Sequence, residues 1–298
     1  MSIKPFTLVL GGGGARGLAH IGVLKAMEKI GFVPSMIVGT SMGAIIGGMY
    51  SQLLNADAVE KKVKIFLNGD FFKRIELEQF SDSSKNNSQF VWERFAAHLK
   101  QRYYFSKSVL GTGKFAQIKL LQSLKKLLTE TDIRNLSLPF AAVSSDLVTG
   151  QETVFTSGSL ITSVAASSAI PGIIAPLEIN SRLYVDGTVT STIPTHAAHV
   201  LSKNIIVAID VRRSLDSFKN HHHGYEIVMR ANEVTSYRLN DMILRSADII
   251  LKPQVTHIEW NEFRYIDQCI QAGQQVVELH YNLLQKRLRR YGLRLFSR

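Results

Sequence analysis

Residues 6–54 read FTLVLGGGGARGLAHIGVLKAMEKIGFVPSMIVGTSMGAIIGGMYSQLL, and the punctuation of this stretch decides the fold. A β-rich run from Phe6 to Leu10 enters the glycines Gly11 to Gly14, and residues 15–30 then place Leu18, Ile21, Gly22 and Leu24 on one side of a helix. Gly31 stops that helix, residues 36–38 form a second strand, and residues 42–54 read as a helix whose Gly43, Ala44, Gly47 and Gly48 permit close backbone packing. Strand, glycine turn and helix thus occur twice in succession. The alternation predicts an α/β fold, with a mostly parallel central sheet covered on both faces and reactive groups at the carboxyl ends of the strands.

Outward from this unit the pattern first breaks and then resumes. Residues 59–135 mix charged and aromatic side chains and read as an inserted helical cap, with 81–88 (SDSSKNNS) a polar loop. Strands follow at 140–143 and 153–155 around a Thr149-Gly150 turn, then a helix at 159–168, a strand at 183–185 entering Asp186-Gly187, and strands at 204–211 and 249–251. Residues 218–225, with His221, His222 and His223, read as a solvated loop. Residues 274–298 read as a basic amphipathic helix, either packed on the domain with its charges solvated or suited to peripheral contact with an anionic membrane. The basic and aromatic residues Phe71, Phe72, Lys73, Arg74 and those of 100–107 could add to that contact. The 298 residues carry no internal repeat and are read as a single domain.

Composition narrows the function classes. Hydrophobic residues at 45% supply a substantial core and exclude a disordered chain. A formal net charge of +11 favours anionic surfaces, but the basic residues are dispersed and form no reader motif, so no specific nucleic acid is expected. Cys269 stands alone and cannot form an internal disulfide, and residues 1–25 lack the pattern of a secretion signal. Residues 157–177 are uncharged, yet their Ser and Thr content with Pro171, Gly172 and Pro176 suits a buried helix and loop rather than a span. A cytoplasmic protein without a transmembrane segment is expected. The pattern specifies no oligomeric state.

Gly39-Thr40-Ser41-Met42-Gly43 matches G-x-S-x-G, in which small residues flank a serine on a sharp strand-to-helix turn. That placement puts Ser41 at a helix N-terminus, where developing negative charge is favoured. Gly12 to Gly14 opens another helix and offers unhindered N–H groups for an oxyanion or a phosphate, with Arg16 adding a cation. Gly12-x-Gly14-x-x-Gly17 also fits a dinucleotide fingerprint, but no acidic residue closes the second strand, and no P-loop is present. The serine needs a base. An order Ser41, Asp210, His257 is formally available, but only one strand and one helix precede the second strand that leads into Ser41, too few for the hydrolase sheet that order belongs to. His196 and His199 follow Pro194 on a helix leading away from Asp186 and read as structural.

Four segments in order, GGGGARGLAHIGVL (11–24), GTSMGAIIGGMY (39–50), SSAIPGIIAP (167–176) and YVDGTVTSTIP (184–194), make the chain resemble the bacterial patatin-like phospholipases, close in layout to their small single-domain members. The resemblance implies a three-layer α/β/α sandwich and a Ser-Asp dyad formed by Ser41 and Asp186. It implies an oxyanion hole from Gly12, Gly13 and Gly14 beside Arg16, with Gly17, Gly39, Gly43 and Gly187 supporting the turns. The implied reaction is hydrolysis of acyl esters in phospholipids or lysophospholipids, of the phospholipase A, lysophospholipase or esterase type, with no metal and no cofactor. Acyl transfer on the same dyad and a catalytically weak regulatory scaffold are the alternatives. The sequence departs from the family at Thr188, where Gly or Ala commonly follows Asp-Gly; a threonine there either crowds the turn or lends a hydroxyl to the carboxylate.

Overall fold

The structure is a computed structural model that describes residues 3–72, 113–215 and 224–289. Among them, β1 (Phe6–Leu10), β2 (Met36–Thr40), β3 (Phe140–Asp146), β4 (Glu152–Phe155), β5 (Leu177–Ile179), β6 (Arg182–Asp186), β7 (Ile205–Ile209) and β8 (Ile249–Leu251) form one mixed sheet. The order is β5-β6-β3-β2-β1-β7-β8, with β4 pairing to β3 outside that path. β2, β1, β7 and β8 run parallel to their neighbours, as does β3 to β2, whereas β4, β5 and β6 enter antiparallel. The parallel strands are apolar and buried along nearly their whole length, as expected of a sheet covered on both faces.

Alternation along β1 divides the core. Phe6, Leu8 and Leu10 face one layer with Ile37, Phe140 and Leu251, covered by α1 (Ala19–Lys29), α2 (Met42–Leu53), α3 (Ala56–Asn68), α4 (Lys114–Leu127) and α5 (Leu160–Ser167). Val9, Val38 and Val143 face the other, covered by α6 (Thr195–Leu201) and α7 (Gly224–Leu244) through Ala197, Ala198 and Leu244. The first layer also holds α8 (Ile266–Leu279), which crosses α1 so tightly that a methyl group on Gly22 would overlap the Ile270 carbonyl oxygen, and one on Gly273 that of Ala19.

Register explains where a site can form. Ala142 of β3 pairs with both Gly39 and Phe155, so β2 and β4 occupy opposite edges of β3. Ser144 pairs with both Asp186 and Thr153, which puts β6 on the same edge as β2, end to end with it. β2 stops at Thr40 opposite Val143, and β6 stops at Asp186 opposite Ser144. Ser41 and Asp186, 145 positions apart in sequence, therefore meet where two strands abut on one edge.

Several boundaries differ from the sequence reading. The helix expected over 15–30 is divided into a 3-10 turn (Gly14–Leu18), entered through Gly14 at φ +57, and α1. Of the 59–135 segment, the described flanks are α3 and α4, whose Val59, Val63, Leu124 and Leu127 are buried in the larger core; 73–112, including the 81–88 loop, Lys73, Arg74 and 100–107, lie outside the described residues. Most of 218–225, with its three histidines, also lies outside them, and α7 already begins at Gly224.

The 274–298 stretch is not a single helix. Gln274 lies within α8, which ends at Leu279, and α9 (Tyr281–Leu288) follows; 290–298 lie outside the described residues. The break falls where the His280 ring bonds back to the Val276 carbonyl at 2.8 Å and Leu284 and Leu288 turn into the core. No described helix is long and apolar enough to cross a membrane.

Candidate active site

Ser41 sits between β2 and α2 with φ 55 and ψ −122, a conformation that costs a non-glycine residue energy and is kept only by surrounding constraint. The constraint is visible. A methyl on Gly43 would overlap the Leu10 carbonyl oxygen, and one on Gly39 would press on the backbone of Gly43 itself. The Ser41 N–H donates to Ser167 Oγ at 3.0 Å, and the Ser167 hydroxyl donates to the Val143 carbonyl at 2.5 Å. The Ser41 carbonyl accepts from Ala44 and Ile45, opening α2. Thr40 ties the strand end to the Ser191 carbonyl at 3.1 Å.

Asp186 is 1% exposed at the end of β6, so its carboxylate has almost no contact with water. Burial pushes its pKa up to about 6, although the Thr188 N–H, the Ser41 side chain and the Thr188 side chain all favour the charged form. The Thr188 N–H donates to Oδ1 at 2.9 Å. The Thr188 hydroxyl also favours the charged carboxylate, and its methyl fills the space left by the missing side chain of Gly12. Gly187 is needed for close approach, since a methyl there would overlap the Val143 carbonyl oxygen. Ser145 donates to the Asp186 carbonyl at 3.1 Å and to or from the Thr190 hydroxyl at 2.8 Å, fixing the turn from behind.

The glycine loop lies against the serine: a Cβ on Gly12 would stand 3.3 Å from the Ser41 Cβ. Its three expected donors are not equivalent. The Gly12 N–H is already given to the Thr192 carbonyl at 2.8 Å, whereas those of Gly13 and Gly14 have no partner among the described residues. Arg16 does not point into the cradle with its bonded nitrogens. Its Nε donates to the Val211 carbonyl and a terminal nitrogen to the Ile258 carbonyl, each at 3.1 Å, so it braces the loop. His20 is fully buried; its Nε2 donates to the Gly11 carbonyl at 2.8 Å, Nδ1 has no partner, and burial lowers its pKa to about 4. It is a neutral support of the loop. Gly17 lets the Met42 side chain pack directly on the turn.

The other candidates lie apart. Asp210 is engaged by the backbone and guanidinium of Arg212, His257 is exposed, His199 bonds the Ser246 carbonyl, and His196 stands on the surface 3.6 Å from Glu152. Among the described residues no cluster of His, Cys, Asp or Glu is arranged to hold a metal ion. Cys269 is buried, with its thiol toward the Ala15 carbonyl and its pKa pushed up to about 11. Ser167, Thr192 and His20 bond the backbone of Ser41, Gly12 and Gly11, and Asn240 bonds Thr192; the sequence alone does not mark them as site residues. Ser167 and Thr192 lie within the quoted segments and His20 within the first; Asn240 has no local signal.

The profile of the family described as patatin-like phospholipase matches residues 8–199, which contain Ser41, Asp186 and the glycine loop. An NTE family protein of Mycobacterium tuberculosis is 29% identical over 207 residues, covering 70% of this chain and 49% of that protein. A patatin-like phospholipase domain-containing protein of Caenorhabditis elegans is 30% identical over 206 residues, covering 68% of this chain and 13% of that protein. The chain therefore spans about half the length of the mycobacterial relative. Among solved structures, VipD from Legionella pneumophila aligns over 98% of this chain and 68% of its own, with a TM-score of 0.53 and 15% identity, a likeness of fold.

Proposed function

Because the chain belongs to the patatin-like phospholipase family, we propose that it is a serine-dependent lipid acyl hydrolase in which Ser41 is the nucleophile and Asp186 its base. The observation that carries the reading is the meeting of β2 and β6 on one edge of β3, which sets a buried carboxylate of raised pKa beside a serine on a nucleophile elbow.

Asp186 accepts the Ser41 proton as Oγ attacks the ester carbonyl carbon, and the resulting oxyanion is held by the free N–H groups of Gly13 and Gly14 at the start of the 3-10 turn. The carbon–oxygen bond of the ester breaks, and the departing alcohol takes the proton from Asp186. Water then gives its proton to Asp186 as its oxygen attacks the acyl-serine, and collapse frees the acid and returns the proton to Ser41. A carboxylate near pKa 6 is a better base toward a hydroxyl than an ordinary one and is still mostly ionised at neutral pH. Substrates are phospholipid or lysophospholipid esters, and the +11 charge favours peripheral, salt-sensitive contact with anionic membranes.

Intact-mass labelling with a fluorophosphonate tests the reading. Wild type takes one adduct, Ser41→Ala takes none, and Asp186→Asn reacts more slowly. Equal labelling of Ser41→Ala, or none of folded wild type, would sink it.

A further inference from the structure

Accepting that reading of the site, we infer that Asn240 of α7 is a positioning residue for the oxyanion loop. α7 belongs to the thinner helical layer and, among its described side chains, only Asn240 and Leu244 are buried, at 1% and 2% exposure. A helix that attaches with so few side chains has little reason to bury an amide, since burying a polar group is unfavourable unless it is fully bonded.

Asn240 is fully bonded, and its partners lead to the glycine loop. Oδ1 accepts the Thr192 N–H at 2.6 Å, and Nδ2 donates to the Ser236 carbonyl one turn earlier at 2.8 Å, which fixes the orientation of the amide. Thr192 in turn offers its carbonyl to the Gly12 N–H at 2.8 Å. On the other side of the same peptide, the Gly11 carbonyl accepts from His20. The Gly11–Gly12 peptide is therefore clamped at both its oxygen and its hydrogen. The following N–H groups, those of Gly13 and Gly14, are the ones left open.

Residues 186–192 are short enough that the clamp also reaches the base. Thr192 Oγ1 lies 3.4 Å from the Thr188 carbonyl, and Thr188 holds the Asp186 carboxylate. The neighbouring Ser191 carbonyl accepts from Thr40, next to Ser41. One buried amide from outside the quoted segments thus sets the height of the loop on which donors, base and nucleophile converge. Misplacement of a reacting group by about 1 Å can cost about 100-fold in rate, and loss of an oxyanion donor about 100- to 1000-fold.

The test is steady-state hydrolysis of a soluble chromogenic short-chain ester by the full chain, comparing Asn240→Ala, Asn240→Asp and Leu244→Ala, with melting temperatures alongside. Asn240→Ala is expected to lower kcat by about 10- to 100-fold with KM within about twofold and the acid limb of the pH profile unmoved. Asn240→Asp keeps an acceptor for the Thr192 N–H but turns a carboxylate oxygen toward the Ser236 carbonyl in place of Nδ2, so it lowers the melting temperature while the folded enzyme retains kcat to within a few-fold. Leu244→Ala loosens the same helix without touching Thr192 and leaves kcat near wild type. With every variant assayed well below its own melting temperature, the amide is only a staple for α7 and the inference falls if Leu244→Ala loses kcat as Asn240→Ala does, or if Asn240→Asp loses it equally. Ser41→Ala in the same assay keeps the two ideas apart: full activity there would overturn the nucleophile assignment whatever Asn240 does.

Discussion

The β1 and β2 turns are written in the same grammar, a buried strand entering glycines and leaving as a helix, and they run side by side in parallel register. They do opposite things. At the first, glycine lets the backbone itself present unpaired N–H groups, and a positive φ falls on Gly14 where it costs little. At the second, the N–H and carbonyl of Ser41 are both bonded, the positive φ falls on Ser41, and glycines on either side let α2 crowd against β1. One turn offers main chain and the other a side chain. Similar spacing in sequence thus says that a tight turn is present, while the placement of the strained residue says what it presents.

Glycine replacement should separate the two turns most strongly. In Gly43→Ala the new methyl meets a strand carbonyl, which cannot move without parting β1 from α2, so a loss of about 3 kcal/mol or more is expected, with activity falling because the fold fails. In Gly13→Ala the φ of 176 lies outside the left-handed region, and the closest obstacle is a side-chain methyl of the buried Val211 at 2.7 Å, with the Val211 carbonyl oxygen at 3.3 Å, a milder overlap than at Gly43. That variant should keep its fold to within about 1 kcal/mol and still lose about 10- to 100-fold in kcat, as its N–H is shifted and crowded. Urea denaturation beside ester hydrolysis checks both. Equal destabilisation would show that the two turns are the same kind of object after all.

Ser167→Ala strikes the second turn alone and more gently. It leaves the Ser41 N–H and the Val143 carbonyl without their shared partner, in a position that is fully buried. A loss of about 1–3 kcal/mol follows from an unsatisfied buried donor, with a fall in kcat of about tenfold as the strained serine relaxes. Denaturant midpoint and kcat measured together decide it: unchanged kcat would mean that the two glycines alone hold the elbow.

What could be read in advance follows the same division. Both strand–turn–helix units were legible because glycine and apolar periodicity are local signals, and β3, β7 and β8 stood out by their apolar runs. The meeting of Ser41 and Asp186 was reachable only through family resemblance, since it depends on β6 joining the β2 edge of β3, a register that no short segment encodes. Two expectations about the cradle needed correction for a related reason. Gly12 and Arg16 have the right chemistry, but their hydrogen bonds go to Thr192, Val211 and Ile258, distant in sequence. α7 escaped notice because its buried side carries Asn240 while Ile227, Val228 and Met242 face outward, the reverse of an amphipathic surface helix.

The smallest expected effect concerns the carboxylate between the two turns. As the proposed base, Asp186 must be ionised to take a proton, so kcat/KM should fall as pH drops through about 6, while His20, with its pKa near 4, stays neutral across that window. Thr188→Ala removes a hydroxyl that favours the charged form; the limb should therefore move toward neutral pH, with the plateau rate little changed. Stability runs the other way. The native carboxyl holds its proton more tightly than the unfolded chain, whose value is near 3.8, so its contribution is present below that value and is lost as pH rises through about 6. Asp186→Asn should accordingly gain in melting temperature relative to wild type at pH 8 but not at pH 3.5. A limb that stays fixed in Thr188→Ala would assign the hydroxyl to packing against Gly12 alone, and would leave burial and the Thr188 N–H as the groups that set this carboxylate.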